Sequence, residues 1–182
     1  MFLKKLKILT KDINRISKKK TKKRIFIISN TADKSVSKYL TPIRESLNCI
    51  YAGAVVYDDN ITKKICLFLK KKIDYIFVDT EKKAALDKKT GTINIERVVR
   101  ENFELDKIFY FKANDLTVEA ASNFLEMLFQ KDIRNISNKK ILIIGAGNIG
   151  FKLGLKLIER GVKVFLNGKT DESTNRLISV IN

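Results

Sequence analysis

One stretch constrains this chain more than any other: residues 139–170, KKILIIGAGNIGFKLGLKLIERGVKVFLNGKT. The apolar run KILII reads as a buried strand. Gly145, Gly147 and Gly150 follow in the spacing G-x-G-x-x-G. The segment IGFKLGLKLIER has helical spacing and stops at Gly161, and VKVFL supplies a second strand. A strand, a glycine turn, a helix and a strand in that order require a right-handed β-α-β unit with parallel strands. The first glycine permits the tight turn. The second leaves open the space a Cβ would take from a diphosphate, and the third lets helix and strand approach closely. Bare N–H groups at the helix start, with the helix dipole, attract phosphate. Gly145, Ala146, Gly147, Asn148, Ile149 and Gly150 are therefore the expected cradle of a dinucleotide.

The end of the second strand selects the cofactor. A carboxylate about 20 residues after the first glycine would hold a ribose 2′-hydroxyl. Asn167 stands there instead, followed by Lys169 and Thr170, a cation and a hydroxyl donor. An uncharged residue tolerates a 2′-phosphate where a carboxylate repels it, so the pattern favours NADP over NAD. Asp171 and Glu172 leave a turn back to the ribose open.

Upstream, strand-like and helix-like runs alternate. RIFIIS, YAGAVVY, IDYIFVD and KIFYFKA read as strands. SKYLTPIRESLN with Pro42 in its first turn, ITKKICLFLKKK, INIERVVREN and LTVEAASNFLEMLFQKD read as helices. Such alternation predicts an α/β fold with a parallel sheet and helices on both faces. The expected organisation is a basic N-terminal arm (1–24), an α/β substrate-type domain (25–115), a linker helix and connector (116–138), and a partial Rossmann unit (139–182).

Composition narrows the chemistry. The chain has no histidine, which removes histidine triads and histidine metal sites. Its two cysteines, Cys49 and Cys66, lie among apolar residues without metal or redox spacing, so no metal is expected. The net charge of +17 comes from lysines spread along the chain and reads mainly as solvated faces. The block Lys18–Arg24, KKKTKKR, is the one place where docking on nucleic acid or an acidic membrane is to be considered. No apolar run is long enough to span a bilayer, and MFLKKLKIL leads into no signal-type core. A cytoplasmic setting is the expectation.

The order of these pieces resembles the shikimate dehydrogenase family over about residues 25–175. Members carry an α/β substrate domain and then an NADP-binding Rossmann domain, and they reduce 3-dehydroshikimate. Ser35 and Ser37 match the family's serine-x-serine motif, which binds the substrate carboxylate. The third strand runs into DTEKKAAL, where Lys82, with Lys83 next, resembles the catalytic lysine of an Asn-Val-Thr-x-Pro-x-Lys motif whose Asn and Pro are absent. Asn114 and Asp115 resemble an Asn-Thr-Asp motif without its Thr, which makes Asp115 the lysine's catalytic partner and Asn114 a substrate contact. Either could instead cap the helix that follows. Asn167, Lys169 and Thr170 resemble an Asn-Arg-Thr element. The resemblance implies an NADP-dependent oxidoreductase acting on a small cyclic keto acid, with a possible homodimer. The family's later Rossmann strands have no counterpart in this sequence.

Two other readings stay open. One is a non-catalytic nucleotide-binding or assembly protein built on this fold. The other is a methylene-tetrahydrofolate dehydrogenase-like enzyme, which needs Tyr-x-x-x-Lys, whereas Tyr75 is followed four residues on by Asp79.

Overall fold

The computed structural model describes residues 1–30, 38–81, 94–129 and 136–168, and it divides into two compact units, Met1–Lys112 and Ala113–Asn182. The chain has a mixed α/β architecture of the Rossmann-like kind.

The first unit is built on β1 (Lys23–Ser29), β2 (Tyr39–Leu40), β3 (Arg44–Glu45), β4 (Cys49–Val55), β5 (Tyr75–Asp79) and β6 (Ile108–Phe111). Its helices are α1 (Phe2–Lys20), α2 (Asp59–Leu69) and α3 (Ile95–Asn102). The sheet order is β2-β4-β1-β5-β6, with β3 also on β4, and β4, β1, β5 and β6 run parallel. Register sets Phe26 beside Ala52 and Ile76, and Ile28 beside Ala54 and Val78. These residues form one core with Leu6 and Ile13 of α1, Ile65 and Leu69 of α2, and Val99 of α3. Among the described residues all three helices thus cover the same sheet face. The opposite face presents Ile25, Ile27, Tyr51, Tyr75, Phe77 and Phe109, none of them in that core. Among the described residues of the first unit no helix lies on that face.

Residues 38–48 are the clearest local departure. Where helical spacing was read, residues 39–45 form two short antiparallel edge pieces, pairing Tyr39 with Val55 and Arg44 with Tyr51. Pro42 sits in the break between them. Proline cannot donate to a ladder, so it suits an interrupted edge strand as well as a helix start. Thr41 spans the gap: its N–H donates to the Gly53 carbonyl (2.9 Å) and its Oγ1 accepts from the Gly53 N–H (2.7 Å).

The N-terminal residues also differ from a free arm. α1 buries Leu6, Thr10, Ile13 and Ser17 at four- and three-residue spacing, so one stripe of a very basic helix is core. Lys18, Lys19 and Lys20 form its last turn, where cations suit the helix dipole, and Thr21 ends it in the left-handed region.

At the start of β1, Asp74 accepts from the Arg24 backbone N–H (2.7 Å) and from guanidinium Nε (3.1 Å) and Nη2 (2.5 Å). The guanidinium holds the Asp74 carboxyl below its usual range. A depressed folded-state pKa means the contribution is complete above the unfolded value, near 4, and is lost as pH falls through the folded one. Asp74→Asn is expected to lower stability by about 1 kcal/mol at neutral pH, given partial solvent screening. Thermal melts of the two proteins are expected to converge on acidification below about pH 4; a gap that persists there contradicts the assignment.

The second unit contains α4 (Ala113–Leu128), β7 (Lys140–Ile144), α5 (Asn148–Ile158) and β8 (Lys163–Asn167). The helix read as a linker therefore belongs to this unit. β7 and β8 pair in parallel, Ile141 beside Val164 and Ile144 beside Asn167. Ile136, Leu157 and Val162 are buried, with Leu125, Phe129, Ile141, Ile143 and Leu153 against them. α5 closes on Gly161 at φ +77°, with Val162 N–H on the Leu157 carbonyl (3.1 Å), a left-handed cap that favours glycine.

Candidate functional site

The glycine turn joins β7 to α5. Gly145 has φ +118°, a conformation that side-chain-bearing residues rarely adopt, and its N–H donates to the Asn167 carbonyl at 2.8 Å. The bend thereby hangs from the end of β8. Gly150 is buried, and a Cβ there would stand 1.9 Å from the Gly145 carbonyl oxygen. Only glycine allows the first turn of α5 to lie so close to the bend. Gly147 differs from both. Its backbone is ordinary extended chain (φ −79°, ψ −175°), and an added Cβ would meet nothing within 4 Å. The fold does not require glycine at 147; the space in front of the bend is open.

Phe151 N–H makes a helical bond to the Gly147 carbonyl (2.9 Å). The amides of residues 148–150 precede it and have no acceptor within the helix. The N-cap residue, Gly147, has no side chain with which to cap this end, and no acidic residue lies in the first turn of α5. Gly145, Gly147, Asn148 and Ile149 are exposed and Ala146 is half-buried. The arrangement is a glycine bend at the positive end of an eleven-residue helix. Amides at a helix start suit an anion, and a Cβ at Gly147 would meet nothing within 4 Å. Asn167 is exposed at the end of β8. Lys169 and Thr170 lie outside the described residues, as do Ser35, Ser37 and Lys82.

α4 begins at Ala113, one residue ahead of Asn114 and two ahead of Asp115, so neither stands at its N-cap position. Asp115 lies in the first turn, where a carboxylate still suits the dipole. Its Oδ1 accepts from Lys152 Nζ of α5 at 2.5 Å. Lys156 pairs with Glu119 in the same way, and Arg160 donates to Ser122 Oγ (2.8 Å) and pairs with Glu126. α4 and α5 thus share a charged ladder whose basic members recur every four residues. That spacing, Lys152, Lys156 and Arg160 against Asp115, Glu119 and Glu126, is written in the sequence and marks Lys152 as Asp115's partner.

In the first unit, polar groups gather at the carboxyl ends of β1 and β5, the edge where open α/β sheets hold ligands. Asp79 is 2% exposed, and its Oδ1 accepts from the Glu81 N–H at 3.0 Å. Thr80 donates both N–H (2.8 Å) and Oγ1 (3.1 Å) to the Phe111 carbonyl. Asn30 Oδ1 is buried without a hydrogen-bond partner. Asn30 and Asp79 were not read as site residues; the signal was a polar residue closing an apolar strand. Burial pushes the Cys66 thiol up to about 12, which removes it as a nucleophile near neutral pH. Among the described residues no group of three or more acidic or sulfur ligands could hold a metal, and no helix is long and apolar enough to cross a membrane.

No protein-family model matches the chain, and no curated protein matches it. Among solved structures it is similar to the crystal structure of L-tryptophan dehydrogenase from Nostoc punctiforme, at 11% identity and a TM-score of 0.47. The similarity covers 87% of this chain and 49% of that one, so the chain spans about half the length of that protein. No property of that enzyme is carried over on this likeness.

The chemistry the second unit offers is therefore read from its own atoms. It can receive an anion at residues 145–150 without adding charge to it, and it can reach the adjoining group from the end of β8. It places the Asp115 carboxylate in an ion pair within the unit.

Proposed function

We propose that the chain binds a dinucleotide at the turn between β7 and α5, with NADP as the cofactor, and that it belongs functionally with NADP-dependent oxidoreductases of the shikimate dehydrogenase type. The observation that carries the reading is the glycine bend. Two of its glycines are demanded by backbone geometry, and the third, Gly147, is demanded by nothing in the fold. A glycine that no described packing requires, set at the positive end of a helix with no acidic residue in its first turn, fits a bound phosphate. The amides of residues 148–150 would hold the diphosphate, and Asn167, Lys169 and Thr170 would meet the ribose 2′-phosphate. The cofactor supplies the hydride chemistry. This chain's share would be binding and orientation, with a keto-acid carboxylate held by Ser35 and Ser37 and proton transfer assigned to Lys82 and Asp115.

A second reading has its own support. Asp115 is held by Lys152 within its unit, and β7–β8 is a two-stranded sheet whose outer face leaves Leu142, Ile144 and Phe165 exposed. A nucleotide-binding or assembly protein without catalysis accommodates both facts.

Titration of the purified chain with NADPH and with NADH distinguishes cofactors: NADPH is expected to bind at least about tenfold more tightly, the worth of roughly one charge-assisted contact. Equal affinities would remove the NADP assignment. Turnover of a cyclic keto acid by the NADPH-bound protein supports the oxidoreductase reading; tight binding without turnover supports the second.

A further inference from the structure

We infer that the amino-terminal edge of the first sheet, with the adjoining sheet face on which no described helix of the first unit lies, is a binding surface for single-stranded nucleic acid. The site lies at the opposite strand ends from the polar groups of Asn30 and Asp79. It is assembled by topology. In a parallel sheet each helix ends where the next strand starts, so the basic C-terminal turn of α1 arrives at β1 and the lysines after α2 arrive at β5. Lys18 and Lys19 are thereby gathered with Lys23, Lys70 and Lys71, though up to fifty-three residues separate them (71 − 18). All five are exposed, and none is in an ion pair within 4.0 Å among the described residues, although Lys23 acts on Asp74 and Lys70 and Lys71 act on Glu104 at longer range.

At the centre is a hollow of about 340 Å³. Four cations line it, Lys23, Arg24, Lys71 and Lys107, against two carboxylates, Asp74 and Asp106. Tyr75 forms part of the wall. From Tyr75 an aromatic row runs up the adjoining sheet face. Phe109 stands edge-on to Tyr75 with ring centroids 5.5 Å apart, and Phe77 lies 5.2 Å from Phe109. Phe109 is 48% exposed although it lies within a strand.

Cations beside a row of aromatic rings on an open sheet match the two parts of a single strand, phosphates and bases. Charge alone would suit any polyanion. The aromatic row singles out a ligand with flat faces to stack, and a hollow lined by Lys23 and Arg24 suits a narrow chain better than a flat bilayer.

The test uses the intact chain and a fluorescein-labelled oligouridylate of about 20 nucleotides, followed by anisotropy over a range of NaCl concentrations. Saturable binding is expected, with log affinity falling against log salt at a slope of about −3, equivalent to roughly four neutralised phosphates on a single strand. Lys23→Glu with Lys71→Glu is expected to weaken binding roughly 30-fold or more. The same charge change at Lys63 and Lys64, exposed on the first turns of α2, is expected to cost under about threefold. Phe109→Ala is expected to cost about tenfold. Phe109→Leu, which keeps an apolar contact with Tyr75 and Phe77, is expected to cost nearly as much. Circular dichroism confirms that each variant is folded, and Gly147→Val is expected to bind the oligonucleotide as the parent does. Equal loss in the two lysine pairs, no loss in either Phe109 variant, or inorganic polyphosphate competing as well as the oligonucleotide would each overturn the inference. So would binding to phosphatidylserine vesicles with none to the oligonucleotide.

Discussion

Gly150→Ala is expected to lose the second unit's native structure while leaving the first unit folded. The new methyl would stand 1.9 Å from the Gly145 carbonyl oxygen and 3.3 Å from a methyl of Ile143. The first contact is with backbone held in the bend, so no side-chain rotation relieves it. Either α5 moves off β7 or the bend opens, and each loses the contact of α5 with the small core around Leu157 and Val162. Overpacking in a core costs about 1–3 kcal/mol when side chains can adjust; a backbone clash in a two-stranded unit belongs at or above the upper end. Hydrogen exchange read by segment is the measurement. Residues 140–168 are expected to lose protection while β1, β4 and β5 keep theirs. Retained protection across β7 and α5 would show that the close approach at Gly150 is not needed.

Gly147→Val is expected to do the opposite, keeping the fold and abolishing nucleotide binding. Its backbone angles are open to any residue, and its Cβ direction is empty. The structural cost is that of a poor helix N-cap, about 0.5–1 kcal/mol. Two methyls placed before the amides of residues 148–150 would exclude a diphosphate, and a loss of at least about 100-fold in NADPH affinity is expected, near 2.7 kcal/mol. The pair of variants separates two roles that the G-x-G-x-x-G pattern alone merges. One glycine is kept for the fold and one for the ligand.

The second unit was legible because its pattern is local. Strand, bend, helix and strand lie within about thirty consecutive residues, and each glycine has one geometric reason for being there. The parallel core of the first unit was legible for a similar reason: Ile25–Ile28, Ala52–Val55 and Ile76–Val78 are continuous apolar runs of strand length. Residues 39–45 were not, because the spacing of Leu40, Ile43 and Leu47 fits a helix as well as an interrupted edge, and the pairing with β4 that decides it is tertiary. At the N-terminus the dense charge read as a mobile arm or as the solvated end of a helix, and Lys18–Lys20 form the last turn of α1. Its lysines are conspicuous, while the stripe of Leu6, Ile13 and Ser17 that fixes the helix is spread over twelve positions (6–17).

The candidate site divides along the same line. The cradle residues 145–150 stand together, since one turn carries them all. Asp115 was read as a partner for Lys82, which lies outside the described residues; within the described residues it accepts from Lys152, whose recurrence with Lys156 and Arg160 was visible but unweighted. Asn30 and Asp79 were invisible as site residues because nothing in a linear pattern says that the ends of β1 and β5 adjoin; the sheet order says so.

The central claim is that the amides at the start of α5 seat a diphosphate. Calorimetric titration of NADPH into the intact chain and into Gly147→Val, at one salt concentration and with both proteins shown to be folded, tests it most directly. A saturable isotherm for the parent and none for the variant is the predicted result. Equal binding by the two proteins, or no binding by the folded parent, would contradict it.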